Sequence, residues 1–276
     1  MRTQEKRATR FRSIQTSLLF VIVPAVIISM AVLSLMGYLS SKAIIQTSAG
    51  TEMSQCLSVA MGSIEMSLSN NRMVAETMAR GVEAIQRQAV KGDQTASDWD
   101  AAAYQEILTS FVGSNPETFG GGIWFEPYQY RPEQRYFSPY CMRQNGAVTY
   151  VDNYSLGEGV YYTDQDWYTN AANTTQKSVW SAPYYDEFAQ ISMVTSSAPI
   201  YDETGRLLGV ATADIDLTQM QQMVLSLDVV ANGRAFLIDD TGVYIADEDS
   251  EKLLSANILE DDNPSFAALG RQILSQ

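Results

Sequence analysis

The chain has 276 residues, of which 46% are hydrophobic and 18% are charged, a composition that suits one or two folded domains and is too apolar for a disordered chain. The sequence contains no histidine and two cysteines, which excludes Ser-His-Asp and Cys-His catalysis, histidine-ligated metal sites and a zinc site built on cysteines. A formal net charge of −14 argues against nucleic acid as a partner.

An uncharged apolar run extends from Ser13 to Ser41, behind a basic tail at residues 1–12. About 20 apolar residues cross the hydrocarbon core of a bilayer, and basic flanks stay in the cytoplasm. All but one of the 32 acidic residues follow Lys42. We therefore predict a transmembrane helix over residues 13–41 in the cell membrane, with a cytoplasmic N-terminus and an extracytoplasmic region after about residue 42. A cleaved signal peptide is the alternative, although its apolar core should be shorter, ~7–15 residues.

Residues 42–90 form the next predicted element, a long helix. Apolar residues recur there mostly at intervals of three and four, as at Leu57, Met61, Ile64 and Leu68. We expect the part near the membrane to pair with a second copy of the chain, giving a homodimer through this stalk helix, and the rest to pack on its own domain.

After the polar segment 91–97, Asp98 is predicted to begin a short helix that ends near Val112. From Phe119 onward the periodicity of the sequence is two. It predicts a strand beginning at 120, a strand at 147–151 after the turn Asn145-Gly146, and a hairpin of 191–200 with 207–217. These elements predict an α+β fold, in which the long helix covers one side of an antiparallel sheet.

Residues 228–276 are predicted to begin a second, incomplete domain. They contain a predicted hairpin, 234–239 with 243–246, and a short helix near 266–274. One hairpin and one helix are too little for an independent core. Any second membrane span is expected beyond residue 276.

Four blocks of sequence then resemble the double Cache (dCache) sensor domain, which is the extracytoplasmic input of bacterial chemoreceptors, sensor histidine kinases and diguanylate cyclases. The blocks are Asp166-Trp167-Tyr168, Val179 to Asp186, Met193 to Ile200 and Gly209 to Leu217. The resemblance implies a PAS-like, membrane-distal Cache module at residues 91–227 and the start of a membrane-proximal module at 228–276.

The resemblance also implies that the distal module binds a small extracellular solute. The candidate ligand-binding residues are Tyr161, Tyr162, Gln165, Asp166, Trp167, Tyr168, Tyr184, Asp186 and Asp214. Gln165 stands where amino-acid-binding members have an arginine, and an amide cannot clamp a ligand carboxylate as a guanidinium does. The acidic and aromatic set instead favours an amine or another cationic nitrogen compound, while an amino-acid-like ligand stays open.

Several of these and neighbouring residues also have a structural interpretation. Asp166 would also serve as the cap of a helix over 167–173, and Asp186 as a turn residue. Trp180 is predicted to belong to the core, and Asp216 to face away from the ligand or to cap the next helix. The acidic runs 247–251 and 260–262 lack the frame of a calcium-binding loop and are predicted to be solvated.

The predicted function is the ligand-sensing region of a methyl-accepting chemotaxis protein, with the sensor of a histidine kinase or a diguanylate cyclase as alternatives. A membrane-anchored hydrolase that uses Asp186 and Asp214 is the alternative of another class. We expect no catalytic residue, metal or cofactor in this part of the protein. The sequence leaves open whether Cys56 and Cys141 form a disulfide.

Overall fold

The computed structural model describes residues 14–91, 101–152, 154, 159–227 and 234–275. The predicted tail at residues 1–12 and the predicted helix start at Asp98 lie outside these ranges. The chain divides into two compact units, Met1–Gln55 and Cys56–Gln276. The sheet and the candidate site belong to the second unit.

Helix α1 runs without interruption over Ile14–Lys91, so the predicted transmembrane helix and the predicted long helix are one element. It contains an 18-residue stretch that is apolar enough to cross a membrane, and none of that stretch is buried. Among the described helices, no other meets this criterion. Pro24 lies inside α1, and membrane helices tolerate proline.

Seven antiparallel strands form one sheet in the order β3-β2-β1-β7-β6-β4, and β5 also pairs with β6. The strands are β1 (Gly120–Phe125), β2 (Tyr140–Gln144), β3 (Ala147–Val151), β4 (Val179–Trp180), β5 (Tyr184–Asp186), β6 (Ile191–Tyr201) and β7 (Leu207–Asp216). Both predicted hairpins of this sheet are confirmed. At the β2–β3 turn, Asn145 and Gly146 have φ values of 50° and 81°, the positive φ angles that a tight hairpin turn needs.

Four further helices are α2 (Ala101–Ser114), α3 (Asp166–Ala172), α4 (Leu217–Leu225) and α5 (Pro264–Ile273). The predicted cap at Asp216 is confirmed, because its carboxylate accepts a hydrogen bond from the Thr218 amide at 2.8 Å. The capping interpretation of Asp166 is wrong. Gln165 is the N-cap residue of α3, and Asp166 lies inside its first turn.

One face of the sheet packs against α1 and α2, as the sequence predicts, and we call it the helix face. Many side chains at this contact are small, including Ala75 and Ala79 of α1 and Ala211 and Ala213 of β7, all completely buried. A side chain added at Gly121 would come within 3.3 Å of the Met78 methyl group. The backbones of α1 and of the central strands therefore approach each other closely.

The opposite face, which we call the ring face, has two glycines where its central strand would otherwise place side chains. A Cβ atom at Gly122 would lie 2.7 Å from the Trp124 indole ring, and one at Gly120 would collide with the Tyr140 phenol group. The glycine run of β1 thus makes room for aromatic rings that lie flat against the sheet.

The C-terminal region is less regular than predicted, with a hairpin of only β8 (Leu237–Ile238) and β9 (Tyr244–Ala246). The prediction that the acidic runs are solvated is wrong at two positions. Asp247 is completely buried and forms an ion pair with Arg234, and Asp261 forms an ion pair with Lys252 at 2.7 Å. These carboxylates are neutralised within the chain.

The substitution Gly122→Ala tests the role of the glycines. It should lower the melting temperature of the full chain by several degrees, because overpacking of this kind costs about 1–3 kcal/mol. Gly113→Ala is the matched control, since a Cβ atom there meets nothing within 4 Å. Thermal melting followed by tryptophan fluorescence measures both, and equal melting temperatures for the two variants would contradict the prediction.

Candidate functional site

A small chamber lies on the ring face, beside the indole of Trp167. Its volume is about 10 Å³, which is roughly the room that one water molecule needs. We call it the inner chamber. Its lining combines aromatic rings, two carboxylates, two threonine hydroxyls and a methionine, from Trp124, Tyr140, Tyr154, Trp167, Tyr184, Asp186, Met193, Thr195, Thr212 and Asp214.

Asp214 lines the inner chamber, and only 3% of its surface is exposed. It lies on β7 between Gly120 of β1 and Thr195 of β6, which are its partners in the strand register. The Thr195 hydroxyl donates a hydrogen bond to its Oδ1 at 2.8 Å. Tyr140 lies over Gly120, and its hydroxyl donates a hydrogen bond to Oδ2 of Asp214 at 2.7 Å. Both oxygens of the buried carboxylate therefore have a protein donor.

Burial raises the pKa of Asp214 from 3.8 to about 7, and the nearby charge of Asp186 adds to the effect, whereas the bonds from Tyr140 and Thr195 lower the pKa. Burial is also the main reason that the pKa of Tyr140 and the pKa of Tyr184 are raised, and the negative charge of Asp214 adds to both. The environment of Asp214 thus disfavours its charged form unless a cation accompanies it.

Asp186, the second carboxylate, is 6% exposed and comes from β5. Its Oδ1 accepts hydrogen bonds from the Tyr154 hydroxyl at 2.5 Å and from the Ala189 amide at 2.7 Å. The bond from the Ala189 amide closes a turn. Asp186 is therefore both a turn residue, as predicted, and a residue of the chamber. No lysine or arginine is among the described residues that line the chamber.

The wall of the chamber is built around Trp124. Its indole N–H donates to the Thr212 hydroxyl at 2.8 Å, which fixes the orientation of the ring. Its ring centroid lies 4.7 Å from that of Trp167 and 5.2 Å from that of Tyr154. Rings in such contact hold each other in place, and their faces attract cations.

A larger cavity shares two lining residues with the inner chamber, and we call it the outer chamber. Its volume is about 420 Å³. Trp167 and Tyr184 line both chambers and so form the partition between them. The other lining residues of the outer chamber are mostly polar: Asp164, Gln165, Asp166, Asn170, Ser181, Ala182, Pro183 and Tyr185.

The structure brings together six of the nine candidate ligand-binding residues. Trp167, Tyr184, Asp186 and Asp214 line the inner chamber, and Gln165 and Asp166 line the outer one.

The three remaining candidates line neither chamber. Tyr161 is 40% exposed and stacks on Tyr136, while the buried Tyr162 donates a hydrogen bond to the Phe125 carbonyl. Tyr168 donates to the Glu126 carboxylate at 2.7 Å. The hydroxyl groups of Tyr162 and Tyr168 are therefore engaged in the fold itself, and Tyr161 packs through its ring.

Six residues of the inner chamber were not among the predicted ligand-binding residues: Trp124, Tyr140, Tyr154, Met193, Thr195 and Thr212. The glycine run before Trp124 is the one local signal for them, because adjacent glycines in a strand mark a place where rings or a ligand approach the backbone. Trp180 does not line the inner chamber; it is partly buried and packs against the core cluster that contains Val194 and Ile215, as predicted for a core residue. Cys56 and Cys141 are both free, so they form no disulfide with each other.

The raised pKa of Asp214 predicts how stability depends on pH in the absence of ligand. The contribution of neutral Asp214 is fully present below its unfolded pKa of 3.8 and is lost as the pH rises through about 7. Asp214→Asn should therefore reduce the drop in melting temperature between pH 5 and pH 8. Asp240→Asn, the same change in an exposed turn, should keep the drop. If Asp214→Asn keeps it too, the prediction is wrong.

Comparisons with known proteins agree with this architecture. A family model described as "Methyl-accepting chemotaxis protein-like, first PDC sensor domain" matches residues 104–222. The chemotaxis protein McpC of Bacillus subtilis is 38% identical over 84 residues, which are 30% of this chain and 13% of McpC. McpA of Pseudomonas putida is 24% identical over 208 residues, which are 73% of this chain and 31% of McpA. The chain thus spans less than a third of the length of these curated relatives.

Solved structures share the fold. The extracellular domain of mmHK1S-Z3, described as a histidine kinase, superposes with a TM-score of 0.62 at 20% identity, covering 77% of this chain and 76% of that domain. The ligand-binding domain of the Campylobacter jejuni chemoreceptor Tlp3, in complex with 4-methylisoleucine, has a TM-score of 0.53 at 18% identity and covers 78% of this chain and 74% of its own. The predicted α+β Cache fold is therefore confirmed, and residues 104–222 match the family model of the first PDC sensor domain of proteins like the methyl-accepting chemotaxis proteins.

Proposed function

We propose that the chain is the ligand-sensing part of a bacterial transmembrane chemoreceptor of the methyl-accepting type, and that it binds a small cationic nitrogen compound in the inner chamber. The observation that supports the ligand class is the pair of buried carboxylates, Asp186 and Asp214, in an aromatic chamber that no described basic residue lines. A buried carboxylate is costly without a positive partner, and a ligand cation supplies one.

A ligand that also bears a carboxylate fits this site poorly. Gln165 lies in the outer chamber and offers an amide there, with no positive charge. The described lining of the outer chamber contains Asp164 and Asp166 and no lysine or arginine. The carboxylate of an amino acid would therefore meet like charge with no cation to balance it, at a cost that an uncharged or cationic tail avoids.

The chain is proposed to lie in the cell membrane with its N-terminus in the cytoplasm and its sensor domain outside. The basic tail, the uncharged run after it and the acidic remainder of the chain support this orientation. The chemotaxis relatives support the receptor role.

A signal from the chamber would pass through β7 to α1. On β7, Asp214 faces the inner chamber, and the adjacent Ala213 is buried in the core cluster that contains Ala75, Met78 and Ala79 of α1. A cation that binds Asp214 would therefore act on the residue next to Ala213, which contacts the cluster of α1. A coupling of about 1–3 kcal/mol would suffice for regulation.

Thermal melting of the full chain in lipid nanodiscs against a panel of solutes tests the ligand class. Cationic nitrogen compounds should raise the melting temperature more at pH 8 than at pH 5, because they bind the ionised form of Asp214. Asp214→Asn should abolish the effect, while Asp240→Asn should keep it. Stabilisation by anionic or neutral solutes alone would contradict the proposed ligand class.

We also propose a homodimer that forms along α1. Three apolar side chains of this helix, Val59, Met66 and Met73, lie seven residues apart and have 72%, 61% and 59% of their surface exposed. A seven-residue repeat is the period of a two-stranded coiled coil, and Cys56 precedes Val59 by three residues, as an a position precedes a d position. Chains with the same membrane orientation would bring identical stripes together in register.

Mild oxidation of membranes tests the dimer. In a Cys141→Ser background, Cys56 should cross-link two chains, because it lies on the stripe that faces the partner. The control Cys56→Ser with Ser58→Cys places the thiol on another side of α1 and should cross-link far less. Equal cross-linking at positions 56 and 58 would contradict a dimer through this stripe. The products are separated by non-reducing electrophoresis.

A further inference from the structure

We infer that the inner chamber selects a bare ammonium group, either free ammonium or the –NH3+ end of a primary amine, and excludes quaternary ammonium groups. The inference rests on the proposed function and specifies its ligand. Two independent properties of the chamber support it, its size and the number of its hydrogen-bond acceptors.

The size of the chamber admits one water-sized group. An ammonium group is of that size, whereas a quaternary ammonium carries a shell of methyl groups and needs several times the 10 Å³ available. An enlargement of the chamber would have to displace packed rings or a buried methionine. Trp124 is in ring contact with both Trp167 and Tyr154, and Met193 is 1% exposed. Tightly packed interiors resist expansion of this kind.

The acceptors of the chamber point to the same group. The carboxylates of Asp186 and Asp214 and the hydroxyls of Thr195 and Tyr184 surround it. A primary ammonium offers three N–H donors to such a set, and a quaternary ammonium offers none. Sites for quaternary ammonium are instead built from ring faces. A quaternary group would leave the buried carboxylates without new donors, at a cost that excludes it.

The partition determines where the rest of a ligand lies. Because Trp167 and Tyr184 line both chambers, the chain of a primary amine would pass between these rings into the outer chamber. The outer chamber has a volume of about 420 Å³ and would accommodate such a chain. Free ammonium would need the inner chamber alone. Both ligands share the same bare ammonium group.

Isothermal titration calorimetry of the full chain in nanodiscs at pH 8 tests the inference with four chloride salts: ammonium, methylammonium, butylammonium and tetramethylammonium. At least one of the first three should bind, and tetramethylammonium should bind more weakly by on the order of 100-fold or more, since a site built to hydrogen-bond a group rejects an analogue without it. Butylammonium binding more tightly than ammonium identifies a primary amine as the ligand, and the reverse order identifies free ammonium.

Met193→Ala provides a test by gain of binding. Removing this buried side chain should enlarge the inner chamber and reduce the discrimination against tetramethylammonium, with an unliganded melting curve to show that the variant is folded. Asp214→Asn should abolish binding of all four salts, and the control Asp240→Asn should change none.

Tetramethylammonium binding to the unmodified chain as tightly as methylammonium overturns the inference. Binding of some other solute that depends on Asp214, with no response to any ammonium salt, overturns it too but leaves the proposed sensing role intact. The absence of any Asp214-dependent ligand removes both.

Discussion

The carboxylate of Asp214 is buried in the middle of the sheet, which costs solvation free energy. The neighbouring strands offset part of that cost with hydrogen bonds. Strand β6 supplies a hydroxyl donor through Thr195, and β2 supplies a second through Tyr140. Strand β1 contributes Gly120, which has no side chain and so leaves room for the Tyr140 ring over the strand. Three strands that lie far apart in the sequence therefore satisfy one side chain.

Hydrogen bonds from neutral hydroxyls lower the free-energy cost of burying the carboxylate of Asp214, but they do not remove the cost of burying its negative charge. The raised pKa of Asp214 shows that burial outweighs the two donors. A structure in this condition can respond either to a proton or to a cation. Asp186 lines the same chamber and adds a second negative group, which increases the advantage of a positive ligand over a neutral one.

Local sequence patterns predicted the elements of this fold well. The Asn145-Gly146 turn, the alternation over 191–217 and the cap at Asp216 each have a short-range physical cause. The site was predicted only where it follows the resembling blocks, at Trp167, Tyr184, Asp186 and Asp214.

The other chamber residues depend on which strands become neighbours, and no local pattern encodes that order. Trp124 and Tyr140 reach the chamber only because β1 lies beside β7 and β2 beside β1. Tyr168 is a candidate because it belongs to the same resembling block as Trp167, and Tyr162 because it lies near the place where the resemblance implies a further tyrosine. Their hydroxyls instead bond the Phe125 carbonyl and the Glu126 carboxylate, near the end of β1. The resemblance thus did not distinguish a chamber residue from a structural one.

The alanines between α1 and the sheet have a mechanical consequence. Long, flexible side chains at a helix–sheet contact absorb a relative movement of the two layers, because they can change rotamer. Ala75, Ala79, Ala211 and Ala213 have no such freedom, and Gly121 has no side chain at all. At these small residues a shift of the central strands reaches α1 with little adjustment of rotamers, and Met78 is the flexible side chain described beside them.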